Sequence, residues 1–184
     1  MDALEALLNR TSVPKLTDPA PSEQCLENIC KAALRAADHG VLRPWRFLII
    51  SGASRHKLGD LFVEAAAVRD SSMDTLAIER LRQKPLRAPL IIVTISSHQE
   101  NQKVPVVEQD LSAAAATQNM LLAAYAQGIG AFWRTGSMAY DLVVKKGLGL
   151  ADNENLIGFL YLGQQDCATR RLADPDVSEY FQNW

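Results

Sequence analysis

The sequence predicts an α+β fold in which helices are layered on a central sheet, and three features carry that expectation. Leu90-Ile-Ile-Val-Thr-Ile-Ser96 is β-branched at most positions and reads as the centre of a sheet. From about Val106 to Gln127 runs the longest helical segment, roughly 33 Å at 1.5 Å per residue. Helices and strands interleave without the strict βαβ alternation of a doubly wound fold. At 184 residues, the whole of 1–184 is expected to form one domain.

Taken in order, a short helix is expected over 2–9, with Leu4, Leu7 and Leu8 on one stripe and Pro14 and Pro19 forbidding its continuation. The next starts near Pro21-Ser22 and carries Leu26, Ile29, Cys30, Ala33 and Ala37 at helical spacing, leaving Asn28, Lys31 and Arg35 on the other face. Trp45 to Ser51 is an apolar run of strand length. Residues 54–68 return to a helical pattern through Leu58, Leu61, Phe62 and Ala65, and a polar helix is expected over 71–84 before Pro85 and Pro89 break it. The long helix is small-sided, with Ser112-Ala-Ala-Ala-Ala116 and later alanines, so more than one neighbour must cover it. Both a central core helix and a homodimer interface suit such a surface. Gly128 ends it as a C′ glycine. A strand follows over 131–135, a helix over 139–147 and a last strand over 157–162; the polar tail from Gln164 to Trp184 receives no assignment.

Composition narrows the function classes. Hydrophobic residues at 48%, charged residues at 22% and a net charge of -2 leave no electrostatic footprint for nucleic acid. No apolar run approaches the ~20 residues that span a bilayer, and the acidic Met1-Asp-Ala-Leu-Glu5 is no signal peptide. Cys25, Cys30 and Cys167 lack C-x-x-C spacing, which points to small core residues in a reducing cytoplasm.

Candidate functional residues fall in three places. Arg10-Thr11-Ser12 with Lys15 sits at a helix end, where an arginine, a hydroxyl and loop amides can converge on a phosphate, although a surface turn has the same composition. Arg35 and His39 stand four apart ahead of Pro44-Trp45-Arg46-Phe47 and can share a helical face beside a planar anionic ligand; pairing of Arg35 with a nearby acid and capping by His39 is the plainer alternative. Trp133-Arg134-Thr135-Gly136 closes a buried strand, where an indole, a guanidinium and a hydroxyl suit a ring edge or a phosphate, or simply pack. Gly128-Ile-Gly130 and Gly147-Leu-Gly149 lack the third glycine of the dinucleotide fingerprint. Asp38, adjacent to His39, is ill placed to form a triad with Ser12, and His39, His56 and His98 lack metal-ligand spacing.

Read together, Arg10-x-Ser12-x-x-Lys15, Arg35-Ala-x-Asp-His39 through Pro44-Trp45-x-Phe47, and Trp133-Arg134-Thr135-Gly136 resemble the FMN-dependent nitroreductases, most closely their compact type. The likeness extends through Arg87-Ala-Pro-Leu-Ile-Ile92, Lys103-Val-Pro105 and Gly158-Phe-Leu-Tyr-Leu-Gly163. It implies a nitroreductase-like layered fold with a central mixed sheet, and a homodimer with the long helix at its interface and FMN shared between subunits. By the same resemblance Arg10, Thr11 and Ser12 hold the ribityl phosphate and pyrimidine edge, Arg35 and His39 join from the same or the partner chain, and Trp133, Arg134 and Thr135 complete the pocket. NADH or NADPH then passes hydride through flavin N5 to a nitroaromatic, quinone or similar acceptor in ping-pong order, with no catalytic side chain required. A non-catalytic flavin store or redox sensor, or a flavin enzyme of another reaction, is the alternative on the same fold. Gly40 and Val41-Leu42-Arg43 depart from the pattern of larger relatives, whose C-terminal phosphate-binding residues have Arg170 and Arg171 as counterparts outside the expected site.

Overall fold

The computed structural model describes residues 1–168 and 172–184; Arg170 and Arg171 lie outside the described residues. Its helices are α1 (Ala3–Asn9), α2 (Glu23–Ala33), α3 (Ser54–Arg69), α4 (Thr75–Arg82), α5 (Val106–Ala126), α6 (Ser137–Tyr140) and α7 (Leu142–Gly147). Its strands are β1 (Leu16–Thr17), β2 (Trp45–Ser51), β3 (Leu90–Ser97), β4 (Gly130–Arg134) and β5 (Glu154–Gln165).

The layered α+β class holds, while the sheet expected to be mixed is antiparallel at every described pairing. The reason lies in the connections. Between β2 and β3 the chain makes two helices, α3 and α4, and returns reversed. Between β3 and β4 it makes one long helix, so these two strands do run the same way, but β5 inserts between them: Leu160 registers with Ile92 of β3 and with Trp133 of β4. A parallel pair is thereby converted into two antiparallel ones.

Alternation along the strands sorts the core into two faces. Leu90, Ile92, Ala131, Leu160 and Leu162 meet Ile29 and Ala33 of α2 and Ala116, Met120, Leu121 and Ala124 of α5. Ile91, Val93, Ile95, Phe159 and Tyr161 meet Leu58, Phe62 and Ala65 of α3, with Val144 of α7 beyond. Inside the first face the hydroxyls of Thr94 and Thr117 meet at 2.9 Å, and Thr117 Oγ1 also lies 3.2 Å from the Ala113 carbonyl. Two fully buried polar side chains are thus satisfied where β3 crosses α5.

Local signals explain most boundaries. Asp2, Ser22, Asp74 and Asp141 cap α1, α2, α4 and α7 with their side-chain oxygens. Gly128, at φ 73°, and the Ile129 N–H to Ala124 carbonyl bond of 2.9 Å end α5 as expected. Asp141 also divides the single helix expected over 139–147 into α6 and α7, because its carboxylate accepts from Val143 and Val144 N–H and starts a new helix. Helix α4 is shorter than 71–84 for the same reason at Asp74. The leucine stripe of α1 is bare: Leu4, Leu7 and Leu8 are 64%, 56% and 73% exposed, and only Ala6 is buried.

One ion pair ties the sheet together at its far end. Arg46 of β2 grips Glu154 of β5 with two bonds of 2.6 Å and also donates to the Gly149 carbonyl at 3.0 Å. The Arg46 guanidinium holds the buried Glu154 carboxyl down at about 2, against an ordinary 4.5. With the folded value below the unfolded one, the stabilisation is complete above about pH 4.5 and is lost as pH falls toward 2. Urea unfolding of wild type and Glu154→Gln is expected to differ by roughly 2–3 kcal/mol at pH 7. The gap should close as the pH is lowered through 4; a gap that stays constant overturns the assignment.

Candidate functional site

The loop after α1 and the end of β4 form one neighbourhood. Val13 N–H donates to the Ala131 carbonyl at 2.9 Å, and Arg134 Nη2 to the Pro14 carbonyl at 3.3 Å. These two bonds hold the loop at Val13 and Pro14 against β4. Thr11 and Ser12 border a recess of 660 Å³ with Phe132 and Cys167. Trp133, Arg134 and Thr135 border a cavity of 380 Å³, and Phe132 is common to both spaces.

Within the cavity the faces of β4 divide the work. Phe132 and Arg134 lie on the α3 side, where the guanidinium carbon stacks 4.0 Å from the Phe132 ring centre and 5.3 Å from that of Tyr161. Burial pushes the Arg134 guanidinium below its ordinary range, and Arg87 adds to the effect. Trp133 packs on the α2 and α5 side. The indole fits because Gly158 stands beside it at φ 156°, where a Cβ would come within 2.2 Å of Trp133 Nε1.

Three buried donor atoms have no acceptor among the described residues: Arg10 Nη1, Trp133 Nε1 and Arg134 Nε. All three belong to the expected site. Each unpaired buried donor costs about 1–3 kcal/mol, and among the described residues no group supplies the acceptor.

Arg35 and His39 are placed elsewhere. The helix that was to carry both stops at Ala33, and the chain then turns through Gly40 at φ 75°, Val41 at φ 54° and Arg43 at φ 50°. Asp38 fixes this turn by accepting from Arg43 N–H at 2.6 Å, a local bond that competes with further helix. The two residues therefore share no helical face. Exposed Arg35 borders an apolar groove with Leu7, Asn119 and Ala123, and a second recess with Arg43 and Trp45. His39 Nδ1 sits 2.5 Å from Glu108 at the start of α5. Lys15, weighed as a phosphate ligand, instead pairs with Asp166 at 2.6 Å.

Lys84, Arg87 and Tyr161 also border the cavity and escaped the sequence reading. A signal for Tyr161 existed: it registers with Phe132, and strand alternation puts both on the Arg134 face. Lys84 and Arg87 arrive from a turn more than forty residues before β4, and no local pattern links them to it.

A family model described as the nitroreductase family matches residues 7–164. The chain belongs to the nitroreductase family. It is 42% identical over 181 residues to YdjA of Escherichia coli K12, whose name assigns it to the NAD(P)H nitroreductases, with 98% of each chain covered. A Haemophilus influenzae relative, also named for NAD(P)H nitroreductases, is 35% identical and covers 89% of this chain and 88% of its own. Among solved structures, a nitroreductase-like family protein from Bacillus cereus superposes with a TM-score of 0.86 at 23% identity, covering 100% of this chain and 96% of that one. A nitroreductase with bound FMN from Bacteroides fragilis superposes with a TM-score of 0.77 at 20% identity, with 100% of each chain covered.

The geometry of this nitroreductase family member makes Gly158 a spacer for Trp133. Gly158→Ala is expected to displace the indole, shift the near-UV circular dichroism of the tryptophans and cost about 2 kcal/mol in urea unfolding. An unchanged spectrum and midpoint would remove Gly158 from the site's construction.

Proposed function

We propose that this chain is an FMN-dependent oxidoreductase that draws on NADH or NADPH to reduce a nitroaromatic, quinone or similar acceptor in ping-pong order. The observation that carries the reading is the set of buried donors without acceptors on Arg10, Trp133 and Arg134. A flavin nucleotide matches them in kind, being rich in ring and phosphate acceptors. When bound, FMN supplies the hydride-accepting and hydride-donating centre at N5. The protein's own part is to bind, orient and charge the site: Arg10, Thr11 and Ser12 on the phosphate and ring edge, Trp133, Arg134 and Thr135 along the pocket wall. No side chain is assigned a catalytic role.

Arg35 and His39 enter this reading from a second copy of the chain. In one copy Arg35 borders other recesses and His39 meets Glu108, away from Trp133–Thr135, as a flavin lying between subunits would require. Apolar surface supports the dimer. Besides the α1 leucines, Val106, Val107 and Leu111 of α5 are 50%, 60% and 62% exposed. Each such side chain gains roughly 1.5–3 kcal/mol when fully covered. Among the described residues no helix is long and apolar enough to cross a membrane, and a reducing cytoplasm suits three free cysteines.

The test is an absorbance spectrum of the purified protein, followed anaerobically as NADH or NADPH is added. A flavin spectrum that bleaches, and returns with a nitroaromatic, is the expected result. Flavin that is bound but never bleached would make the protein a store or sensor, and protein that neither carries nor takes up FMN would end the flavin reading. In sedimentation the protein is expected to run as a dimer, and Leu7→Asp/Leu8→Asp to shift it toward monomer. A monomeric wild type would overturn the shared site.

A further inference from the structure

Lys84 and Arg87 reach the 380 Å³ cavity from the 3-10 turn before β3, and Arg134 reaches it from the end of β4. Among the described residues none of the three has an acidic partner. A further cation that acts on Lys84, Arg69, is answered by Asp141 at 3.4 Å. Lys84 and Arg134 are both held below their ordinary ranges, by burial first and then by Arg87, with Arg69 acting on Lys84 as well. Lys84 and Arg134 are half-buried and Arg87 is exposed, so these like charges press on one another at a partly solvated wall.

The remaining wall sharpens the preference. Phe62, Phe132 and Phe159 supply aromatic surface, and Tyr161, 3% exposed, completes it. Burial pushes the Tyr161 phenol up to about 12 despite Arg134 and Arg87 nearby, so it stays a neutral O–H donor at physiological pH. The cavity thus offers cations, donors and ring faces and no carboxylate. An oxyanion on a flat apolar body answers each of these at once: it relieves the repulsion, accepts the free donors and lays its ring on the aromatic wall. Thr11 and Ser12 border the neighbouring recess instead, so the flavin phosphate has its own candidate ligands.

We propose that Lys84, Arg87 and Arg134 form an oxyanion subsite that selects aromatic electron acceptors bearing a carboxylate or phosphate. As a statement about acceptors it rests on the reductase reading above; as an anion site it stands on the cavity alone.

The experiment compares FMN-loaded wild type with Lys84→Gln/Arg87→Gln on two acceptors of similar shape, 4-nitrobenzoate and the neutral 4-nitrobenzyl alcohol. The double variant is expected to raise KM for 4-nitrobenzoate about tenfold or more, while kcat and the KM for the alcohol stay within about twofold. Inorganic phosphate should compete with 4-nitrobenzoate in wild type and cease to do so in the variant. A variant with wild-type melting and FMN affinity that still prefers the anionic acceptor overturns the subsite. So does one that loses FMN affinity and treats both acceptors alike, since the oxyanion would then be the flavin phosphate. Should wild type bind no FMN, the reductase reading fails separately. The site is then read by the rise in melting temperature with inorganic phosphate, expected in wild type and absent in the variant; no rise in wild type overturns it.

Discussion

Strand β5 lies between two strands that run the same way, and its antiparallel fit to both decides which side chains meet in this molecule. With Leu160 registered to Ile92 and Trp133 at once, a slip of one residue would send Leu160 and Leu162 toward Phe62 and drive Phe159 and Tyr161 under α5. That register is why Trp133 and Arg134, neighbours in sequence, serve opposite faces of the sheet. The indole joins the packing of α2 and α5, and the guanidinium joins the aromatic cavity above α3. The bulge between Thr94 and Ile95 and the glycine at 158 are where the regular sheet yields to make room for the site.

Two parts of the sheet differ in how well their polar groups are satisfied. At one end Arg46, Glu154, Gly149 and Ala151 exchange bonds until the carboxylate is fully used. The Ser96, His98 and Asp110 side chains nearby are likewise closed on one another, with Asn155 joining at 3.4 Å. Beside the middle of β5, Trp133 Nε1 and Arg134 Nε have no acceptor among the described residues. The well-bonded end and the apolar core carry the free energy that lets these donors remain unsatisfied.

Much of the fold was legible because its signals are local. Periodicity located β3 and α5, Ser22 marked the start of α2, and Gly128 located the end of α5, while the caps at Asp74 and Asp141 went unread. What was missed depends on contacts distant in sequence. The two-residue β1 exists because Leu16 and Thr17 find Gln165 and Gln164, and the extra length of β5 follows from its three partners. At the site, the residue types at Arg10, Trp133 and Arg134 were readable, and the fold tethers the loop after Arg10 to β4 through Val13 and Pro14. The shared helical face of Arg35 and His39 failed because Asp38 bonds Arg43 and turns the chain. Lys84 and Arg87 stayed hidden because tertiary folding alone sets them beside β4.

Arg10 is the C-cap of a helix only seven residues long, whose leucines face outward. A helix that short has little order of its own. In the proposed dimer the leucine contacts would steady α1, and α1 would steady Arg10, so association and cofactor affinity become two faces of one equilibrium. Diluting the protein would then loosen its hold on flavin with no change in solvent or sequence, and added flavin would draw separated subunits back together.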